Sequence, residues 1–384
     1  MATFDALVIG AGYIGSAVSY YLTKAGLKTA LLDQGGLAAG ASRANYGNIQ
    51  IQDAELEHSM PMVLAGRMTF ETLEAELDHD VGLRSIGSLL IAESESQVAN
   101  LQARAARLGE FGVAVEWLAP GDLQRLEPNI DTGQTFGALY SAHEMQVNPF
   151  KLIWAFVHRA RQQGLHLNLH SQVQDFIVQN GRVRGVVTGQ GRIESQVTIL
   201  AAGAWSAVLG QKLGLNIPVM HVQGQAAATG FVGDLLHNYI SSAAFFESVH
   251  EEADETEDAG TKAILAIAPT VHGNLLLGEA AQVVDHFSNA TDPGSLQAIS
   301  QTAQRFIPAL KRVQILRAWA APVAFTGDGR PFLGAVEGLE GVLLAAAFKS
   351  TVVITPLTGQ VITQLVTEGR SDLDIRPFLL SRIG

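Results

Sequence analysis

The stretch Asp5-Ala-Leu-Val-Ile-Gly10-Ala-Gly12-Tyr-Ile-Gly15 decides the fold. A short apolar run of strand type leads directly into three glycines with the spacing G-x-G-x-x-G. Apolar residues then recur at helical spacing until Gly26 ends the helix, and a second apolar strand ends in Asp33. This order of strand, glycine turn, helix, strand and acid is the unit that binds a dinucleotide.

Each residue of this unit has a physical task. We expect Gly10 to allow the tight turn, Gly12 to let a pyrophosphate approach the backbone, and Gly15 to let the helix pack closely on the strand. The first N–H groups of the helix face the phosphates. The Asp33 carboxylate can accept hydrogen bonds from both ribose hydroxyls and would repel a 2′-phosphate. A glycine turn without a ligand is the alternative interpretation.

Composition excludes several classes of function. The chain has 384 residues, 47% hydrophobic and 16% charged, so it can bury a large core in one or two domains. A net charge of −12 argues against a nucleic-acid or anionic membrane surface. The absence of Cys excludes disulfides, thiolate nucleophiles, Cys-ligated metal centres and a flavin tethered through Cys. The start of the chain lacks a signal-peptide pattern, and no apolar run reaches about 18 residues, so we expect a cytoplasmic protein.

The next stretch separates FAD from NAD as the dinucleotide. Gly35-Gly-Leu-Ala-Ala-Gly-Ala-Ser42-Arg-Ala-Asn45-Tyr-Gly47-Asn48 is too long and too rich in small residues for a plain connector. It suits a backbone that wraps the second part of a larger ligand. Here the chain resembles the D-amino-acid oxidase superfamily of flavoenzymes, whose members carry a small-residue Ser-x-x-Asn stretch after the second strand. A nicotinamide-dependent dehydrogenase is disfavoured by this stretch.

Three later segments continue the resemblance, in the order that the family shows. The apolar run that ends in Gly203-Ala-Trp205-Ser206 looks like the family strand followed by Gly-x-Trp-Ser. Arg317-Ala-Trp319 and Asp328-Gly-Arg330-Pro331-Phe-Leu-Gly334 are similar to Arg-x-Trp and Asp-Gly-x-Pro-x-x-Gly. Lys349-Ser350-Thr351 stands where relatives have a glycine-containing loop before the final helix. Within the superfamily the chain is most similar to the group of glycine oxidase, proline dehydrogenase and the opine dehydrogenase beta subunit.

The resemblance implies an α/β fold with two discontinuous domains. An FAD-binding domain of the Rossmann type, like that of glutathione reductase, takes residues 1–80, 145–218 and 318–384. Residues 81–144 and 219–317 form a substrate domain that covers the flavin with an antiparallel sheet. The pattern predicts helices over residues 53–79, 97–109 and 148–163, the last capped by Asn148 before Pro149. It also predicts a hairpin turn at Val271-His-Gly273-Asn274.

The cofactor implied by the resemblance is FAD, and without Cys we expect it to be bound noncovalently. The residues expected to contact it come from the dinucleotide unit and from the four matching segments, with Val173 outside both. They are Gly10, Gly12, Tyr13, Ile14, Gly15, Asp33, Gln34, Ser42, Arg43, Ala44, Asn45, Tyr46, Gly47, Val173, Ala202, Gly203, Trp205, Gly334, Lys349, Ser350 and Thr351.

The chemistry expected is oxidation of the C–N bond of an amino acid or N-substituted amino acid, with flavin N5 as the hydride acceptor. The protein must then orient the substrate. An amino-acid carboxylate needs a cation, preferably an arginine, and Arg317, Arg330 and Lys349 are the candidates, with Arg43 a weaker one. Tyr46, His58 and Tyr239 are expected to line the substrate pocket. For each of these residues a structural role is the alternative, such as a buried ion pair for Arg317.

Lys349-Ser350-Thr351 departs from the relatives, which tend to place glycine here. We expect Pro356 in the first turn of the following helix, with the helix N-terminus directed at the flavin pyrimidine edge. Lys349 is the expected tuning cation or second carboxylate contact. The bulkier loop also leaves open a flavin-binding subunit with little activity of its own, which works with partner dehydrogenase subunits in a hetero-oligomer.

Two near-matches to other motifs fail. Gly40-Ala-Ser42-Arg-Ala44 lacks the last glycine of a nucleophile elbow, and His250-Glu-Glu-Ala-Asp254 lacks the second histidine of a zinc helix, so we expect neither a hydrolase nor a metal site. The seven acids from Glu247 to Asp258 form either a solvated excursion or a docking patch for a basic partner.

Overall fold

The computed structural model describes residues 3–247, 263–349 and 351–383. Its strands in these ranges are β1 Thr3–Ile9, β2 Thr29–Leu32, β3 Asn48–Ile49, β4 Arg84–Ser85, β5 Ser88–Ala92, β6 Glu116–Leu118, β7 Gly137–Ser141, β8 Met145–Gln146, β9 His166–Asn168, β10 Val173–Gln179, β11 Arg182–Thr188, β12 Gly191–Leu200, β13 Met220–Thr229, β14 Tyr239–Ser242, β15 Ala263–Pro269, β16 Leu275–Val283, β17 Ile315–Phe325, β18 Phe332–Val336 and β19 Leu339–Ala346. The helices are α1 Tyr13–Lys24, α2 Met60–Leu77, α3 Glu95–Glu110, α4 Pro120–Leu126, α5 Pro149–Gln162, α6 Ser206–Gln211, α7 Ala244–Glu247, α8 Pro293–Phe306 and α9 Thr351–Glu368.

The chain divides into two compact units. The first unit comprises Met1–Leu83, Val147–His221 and Val323–Gly384, and the second comprises Arg84–Gln146 and Val222–Pro322. The chain therefore crosses between the units four times. That the first unit binds FAD and the second receives the substrate stays a proposal.

The first unit is built on a sheet with the strand order β10-β11-β19-β12-β1-β2-β9, and β18 pairs with β19. Its centre, from β19 through β12, β1 and β2 to β9, is parallel. All four residues of β2 are buried, as expected for a strand covered on both faces. Helix α1 packs against α5 and α9, and the rings of Tyr20, Tyr21 and Phe156 cluster there.

The second unit is built on a mostly antiparallel sheet with the order β17-β13-β16-β15-β14-β5-β7-β6. Apolar residues of β5, β14, β15 and β16 form one core with α8, including Ile240, Ile267, Leu277, Ile299 and Phe306. β15 and β16 pair across the turn predicted at residues 271–274. The combination of a parallel sheet under helices with an antiparallel sheet confirms the predicted fold class.

Two helix boundaries differ from the sequence prediction. The helix predicted from residue 53 begins at Met60, because the Glu55 carboxylate accepts hydrogen bonds from the N–H groups of Glu57, His58 and Ser59 and holds this segment in a turn. The last helix begins at Thr351, so the prediction of Pro356 in its first turn is wrong.

Two further predictions concern helix ends and the acidic run. Asn148 caps α5 as predicted, because its Oδ1 accepts from the N–H groups of Phe150 and Lys151. The acidic run lies outside the described residues from residue 248 onward.

Among the helices described, none is both long and apolar enough to span a bilayer.

Candidate cofactor site

Three parallel strands of the first unit end at the same edge of its sheet. Ile9 of β1 pairs in register with Leu200 of β12, and Leu200 pairs with Leu344 of β19. The segments that follow these strands are the glycine turn, residues 201–205, and residues 347–351. In α/β sheets, ligands bind outside the carboxyl ends of the strands. The glycine turn and two of the four matching segments therefore meet at one sheet edge.

The glycine turn is closed so tightly that side chains do not fit. Gly10 has φ of +110°, and a Cβ there would lie 2.3 Å from the carbonyl oxygen of Ala201. A Cβ on Gly15 would lie 1.7 Å from the Gly10 carbonyl oxygen. Gly15 therefore lets α1 start directly against the turn, as its predicted role requires. A Cβ on Gly12 would meet the Ser42 Oγ at 2.7 Å.

Residues 35–48 are docked onto this turn. The N–H of Tyr13 donates to the Ser42 Oγ at 3.1 Å, and the N–H of Ala38 donates to the carbonyl oxygen of Ala11 at 2.9 Å. The first hydrogen bond within α1 runs from the Ser16 N–H to the Gly12 carbonyl. The N–H groups of Ile14 and Gly15 therefore precede the helical ladder and can reach a phosphate.

Asp33 joins the turn to the segment after β2. Its Oδ2 accepts from the Ala11 N–H and its Oδ1 accepts from the Gly35 N–H, both at 2.7 Å. Each carboxylate oxygen keeps further acceptor capacity, because an oxygen of an ionised carboxylate accepts about two hydrogen bonds. The half-buried carboxylate can therefore bind ribose hydroxyls while it holds the turn.

The remaining predicted contacts come from two neighbouring segments. A Cβ on Gly40 would lie 3.3 Å from the Trp205 ring, so residues 201–205 lie against the docked segment. The Ser171 N–H donates to the Asp33 carbonyl at 2.8 Å, and this brings Val173 to the same region. The structure thus gathers the glycine turn, Asp33, Ser42, Trp205 and Val173. Exposed Gln34 and Gly203, and half-buried Ala44 and Ala202, flank them.

Arg43 and Asn45 have different surroundings within the docked segment. The Nε of Arg43 is buried and has no hydrogen-bond partner among the described residues. Arg43 follows Ser42, which contacts the glycine turn, so its guanidinium is a candidate cation for an anionic phosphate. The Asn45 Oδ1 accepts from the Gly47 N–H at 2.7 Å and shapes the turn there. Tyr46 is half-buried next to it.

The loop after β19 contains an alanine with an unusual backbone. Ala347 has φ of +59°, the left-handed region that favours glycine, and it is buried. The hydroxyl of Thr351 donates to the carbonyl oxygen of Phe348 at 2.6 Å, and the Thr351 N–H donates to the Lys349 carbonyl at 2.9 Å. Lys349 is half-buried, and Ser350 lies outside the described residues.

Arg330 belongs to a network centred on Asp328. Its guanidinium contacts Asp328 at 3.0 Å, and Arg382, only 7% exposed, contacts the same carboxylate at 2.8 Å. Burial alone would raise the pKa of Asp328, but hydrogen bonds from Arg382 and the Arg330 N–H hold it well below its ordinary value. Arg382 also donates to the carbonyls of Arg330 and Pro331. The Asp-Gly-Arg-Pro motif is thus tied to the C-terminal segment.

Other predicted residues take structural or exposed positions. A Cβ on Gly334 would meet Leu379 at 2.7 Å, so this glycine also lets the C-terminal segment pack on β18. Arg317 is exposed on β17 and has no ion pair among the described residues, which makes the buried ion pair considered for it wrong. Tyr239 is buried on β14. Their roles toward a ligand stay predictions.

His58 lies in the turn that precedes α2. Its Nδ1 is 3.7 Å from Glu55, and possible ligand atoms of Glu55, Glu57 and His58 lie within 4.8 Å of one another. The Glu55 carboxylate is occupied by backbone N–H groups of this turn, so the cluster is accounted for as a helix start.

A cavity of about 850 Å³ lies elsewhere on the first unit. It is lined by Asp5 and Gly341 near the amino ends of β1 and β19, and by Gln196, which lies beside the start of β1. Because parallel strands run in one direction, this cavity is at the sheet edge opposite to the glycine turn. It is separate from the candidate cofactor site.

Two residues that the structure brings into the argument, Arg382 and Glu279, were not predicted from the sequence. Arg382 carried no motif, and only the fold brings it to Asp328. Glu279 on β16 has a signal that could have been used, because it is the only Asp, Glu, Lys or Arg in β13, β14, β15 and β16.

Comparison with known proteins identifies relatives over the whole chain. The family model described as FAD dependent oxidoreductase (DAO) matches residues 5–365. A glycine oxidase from Geobacillus kaustophilus is 26% identical over 387 residues, covering 99% of this chain and 97% of its own length. The hydrogen cyanide synthase subunit HcnC of Pseudomonas protegens is 27% identical over 422 residues, covering 99% and 96%.

Solved structures share the fold. The crystal structure of an L-proline dehydrogenase from P. horikoshii superposes with a TM-score of 0.88 at 22% identity, covering 100% of this chain and 98% of that one. The resemblance inferred from four short segments is confirmed by these matches.

Proposed function

Because the chain belongs to the DAO family of FAD-dependent oxidoreductases, we propose that it oxidises the C–N bond of an amino acid or N-substituted amino acid. When bound, FAD accepts the hydride from the carbon next to the nitrogen. The observation that carries the proposal is the glycine turn with Asp33 and Ser42 docked at the carboxyl edge of the sheet. The relatives named for glycine and for L-proline support an amino-acid substrate.

The residues of the first unit fit FAD as a noncovalent ligand. A Cβ at Gly12 would fill the space beside the first N–H groups of α1, where a pyrophosphate would approach. Arg43 offers a cation, and Asp33 offers acceptors for ribose hydroxyls. Since the chain has no Cys, we expect denaturation to release the flavin.

We further propose that an arginine reads the substrate carboxylate. Arg330 and Arg382 share the single carboxylate of Asp328, so this cluster keeps a net positive charge of about +1. Arg330 is the more exposed of the two, with 21% of its side chain accessible. Arg317 is the second candidate, because it is exposed without an ion pair among the described residues.

The test of the function is anaerobic reduction. Purified protein should be yellow, and an amino acid such as glycine, N-methylglycine or L-proline should bleach its flavin band. Met replacements of Arg330 and Arg317 should lower kcat/KM at least 10-fold for one of them, while Arg370→Met, at an exposed position of the first unit, serves as the control. Colourless protein would overturn the proposed function. Full activity of both arginine variants, or equal activity with simple amines that lack a carboxylate, would overturn the proposal that an arginine reads the substrate carboxylate.

A flavin-binding subunit with little activity of its own is the second candidate function. It is favoured by the loop at Lys349 and Thr351, where bulkier residues stand than in relatives, and by a relative that is named as a subunit. If isolated protein holds FAD but no amino acid reduces it, this candidate replaces the first.

A further inference from the structure

One carboxyl group of the second unit is not used by the proposed function. Glu279 lies in β16, which packs on one side against α8. Leu275, Leu277 and Ala280 of this strand belong to the core shared with α8. Glu279 does not belong to that core.

The pairing of β16 with β13 shows which way Glu279 faces. Gln225 pairs with Ala280 and Ala227 pairs with Leu277, so Gly278 and Glu279 together oppose the single residue Ala226. This is a β-bulge. In such a bulge the two extra-paired residues, here Gly278 and Glu279, lie on the same face of the sheet as the residue opposite them, Ala226.

The helix-covered side of β13 is fixed by Gln225. Its Nε2 donates to the Ser295 Oγ at 2.9 Å, at the start of α8. Ala226 follows Gln225 in the strand and therefore points to the other face. The bulge places Glu279 on that same face, away from α8. Bulges that re-aim a side chain are common beside active sites.

The side chains around Glu279 on this face are uncharged. Strand parity places the side chains of Ala226, Ala228, Ala266, Ala268, Leu276 and Tyr239 there. Among the described residues, the Glu279 carboxylate has neither a hydrogen bond nor an ion pair, and burial raises its pKa. Glu279 is half-buried, so a ligand that binds at this face can reach its carboxylate, which has no partner of its own among the described residues.

We propose that Glu279 accepts a proton from the ammonium group of the substrate. This inference rests on the proposed function, in which the second unit receives the substrate. The N–H bond of the ammonium breaks, the O–H bond of Glu279 forms, and the nitrogen regains the lone pair that hydride loss from the neighbouring carbon requires. The proton returns from Glu279 to solvent after the product leaves.

The other titratable groups near β16 are few. β15 has none, β13 has only His221, whose Nε2 is 2.8 Å from the carbonyl oxygen of Ala204, and α8 has only Arg305, which is paired with Glu93. The remaining ones are Tyr239 on β14, Arg84, which donates to the Pro269 carbonyl of β15, and exposed Arg317 on β17. A pH dependence that disappears with the Glu279 carboxyl would therefore belong to Glu279.

The test compares Glu279→Gln with wild-type protein carrying FAD, using glycine, N-methylglycine and L-proline as probes. Flavin reduction should be slower in the variant by about 100-fold at pH 7, the usual contribution of a positioned base. The deficit should shrink to less than about 3-fold near pH 10, where the free amine needs no base. Glu116→Gln, at an exposed position of the same unit, should match wild type throughout.

Three further readouts separate this role from a structural one. The dissociation constant for acetate, which has a carboxylate but no amine, should stay within about 2-fold of wild type when followed by the flavin absorbance. The melting temperature of Glu279→Gln should not fall, because the variant removes a half-buried carboxyl that has no partner among the described residues. Glu279→Asp should show an intermediate rate at pH 7.

The outcomes are distinguishable. If wild-type protein is reduced by a probe and Glu279→Gln is equally fast at pH 7, or slower by the same factor at every pH, the inference is wrong while the proposed function stands. If no probe reduces wild-type flavin, the proposed function fails first and the inference falls with it.

Discussion

Replacement of Gly12 by Ala separates the structural use of this glycine from its use by the cofactor. Gly12 has φ of −83° and ψ of −164°, which alanine adopts freely, so the backbone is not strained. The added methyl is too close to one atom only, the Ser42 Oγ, at 2.7 Å. The Ser42 Cβ lies at 3.8 Å, an ordinary contact. The clash therefore depends on the hydroxyl alone.

The magnitudes follow from these distances. Gly12→Ala overpacks the turn and displaces a hydroxyl that binds the Tyr13 N–H, so it should lower the free energy of unfolding by about 1–3 kcal/mol. Ser42→Ala loses that hydrogen bond and should lower it by about 1–2 kcal/mol. In the double variant the clash is absent, and the loss should equal that of Ser42→Ala alone. Once Ser42 is replaced by Ala, Gly12→Ala should therefore cause no further loss of stability.

FAD affinity should not recover in the double variant, because the methyl on residue 12 still stands where the pyrophosphate approaches the backbone. We expect the Kd for FAD to rise by at least about 10-fold in both Gly12 variants. Denaturant unfolding of FAD-free protein and titration of FAD by flavin fluorescence measure the two effects. Gly36→Ala, in the same segment with open space around it, is the control. Additive losses of stability in the double variant would refute the assigned clash, and restored FAD affinity would refute the pyrophosphate position.

Three further predictions concern Asp33, Asp328 and Lys349. Asp33→Ala should weaken FAD binding by about 1.5–3 kcal/mol, the scale of hydrogen bonds to a charged group, and an unchanged Kd would place the ribose elsewhere. Asp328→Asn should lower the free energy of unfolding by about 2–3 kcal/mol at neutral pH. Because the folded pKa of Asp328 is depressed, this difference is complete above the unfolded value near 4 and shrinks as pH falls below it; urea titrations at pH 7 and pH 3 check this, and a pH-independent difference would contradict it. Lys349→Met should lower the flavin reduction potential and slow reduction with FAD still bound, and an unchanged potential would exclude a tuning role.

Sequence reasoning succeeded where the determinants are local. The glycine turn, the cap at Asn148 and the turn at residues 271–274 each depend on residues within a few positions of one another. It failed at the start of α2. There the Glu55 carboxylate accepts hydrogen bonds from the following N–H groups and holds them in a turn, so the helix begins later than the hydrophobic pattern indicates. Pro356 was misplaced for a related reason. Proline favours a first turn, but here the tertiary structure extends the helix by five residues before it.

The sequence predicted which residue types form the candidate site, but not which residues contact one another within it. Ser42 was expected to contact the cofactor, and its contact with Gly12 and Tyr13 could not be inferred, since only the fold brings the two segments together. Arg382 had no signal at all, because it lies 54 residues from Asp328. Contacts between residues distant in sequence are fixed by the packing of whole elements.

The two carboxyl groups of Asp328 and Glu279 show why a motif is a poor guide to chemistry in this chain. Asp328 stands in the most recognisable motif, yet two guanidinium groups hold its pKa low, and a carboxylate held that way neither accepts nor delivers protons near neutral pH. Glu279 stands in no motif, and burial raises its pKa while no cation or hydrogen-bond donor among the described residues lowers it. The residue that the motif marks therefore builds the turn. The residue suited to exchange a proton with an amine is the one that the motifs leave out.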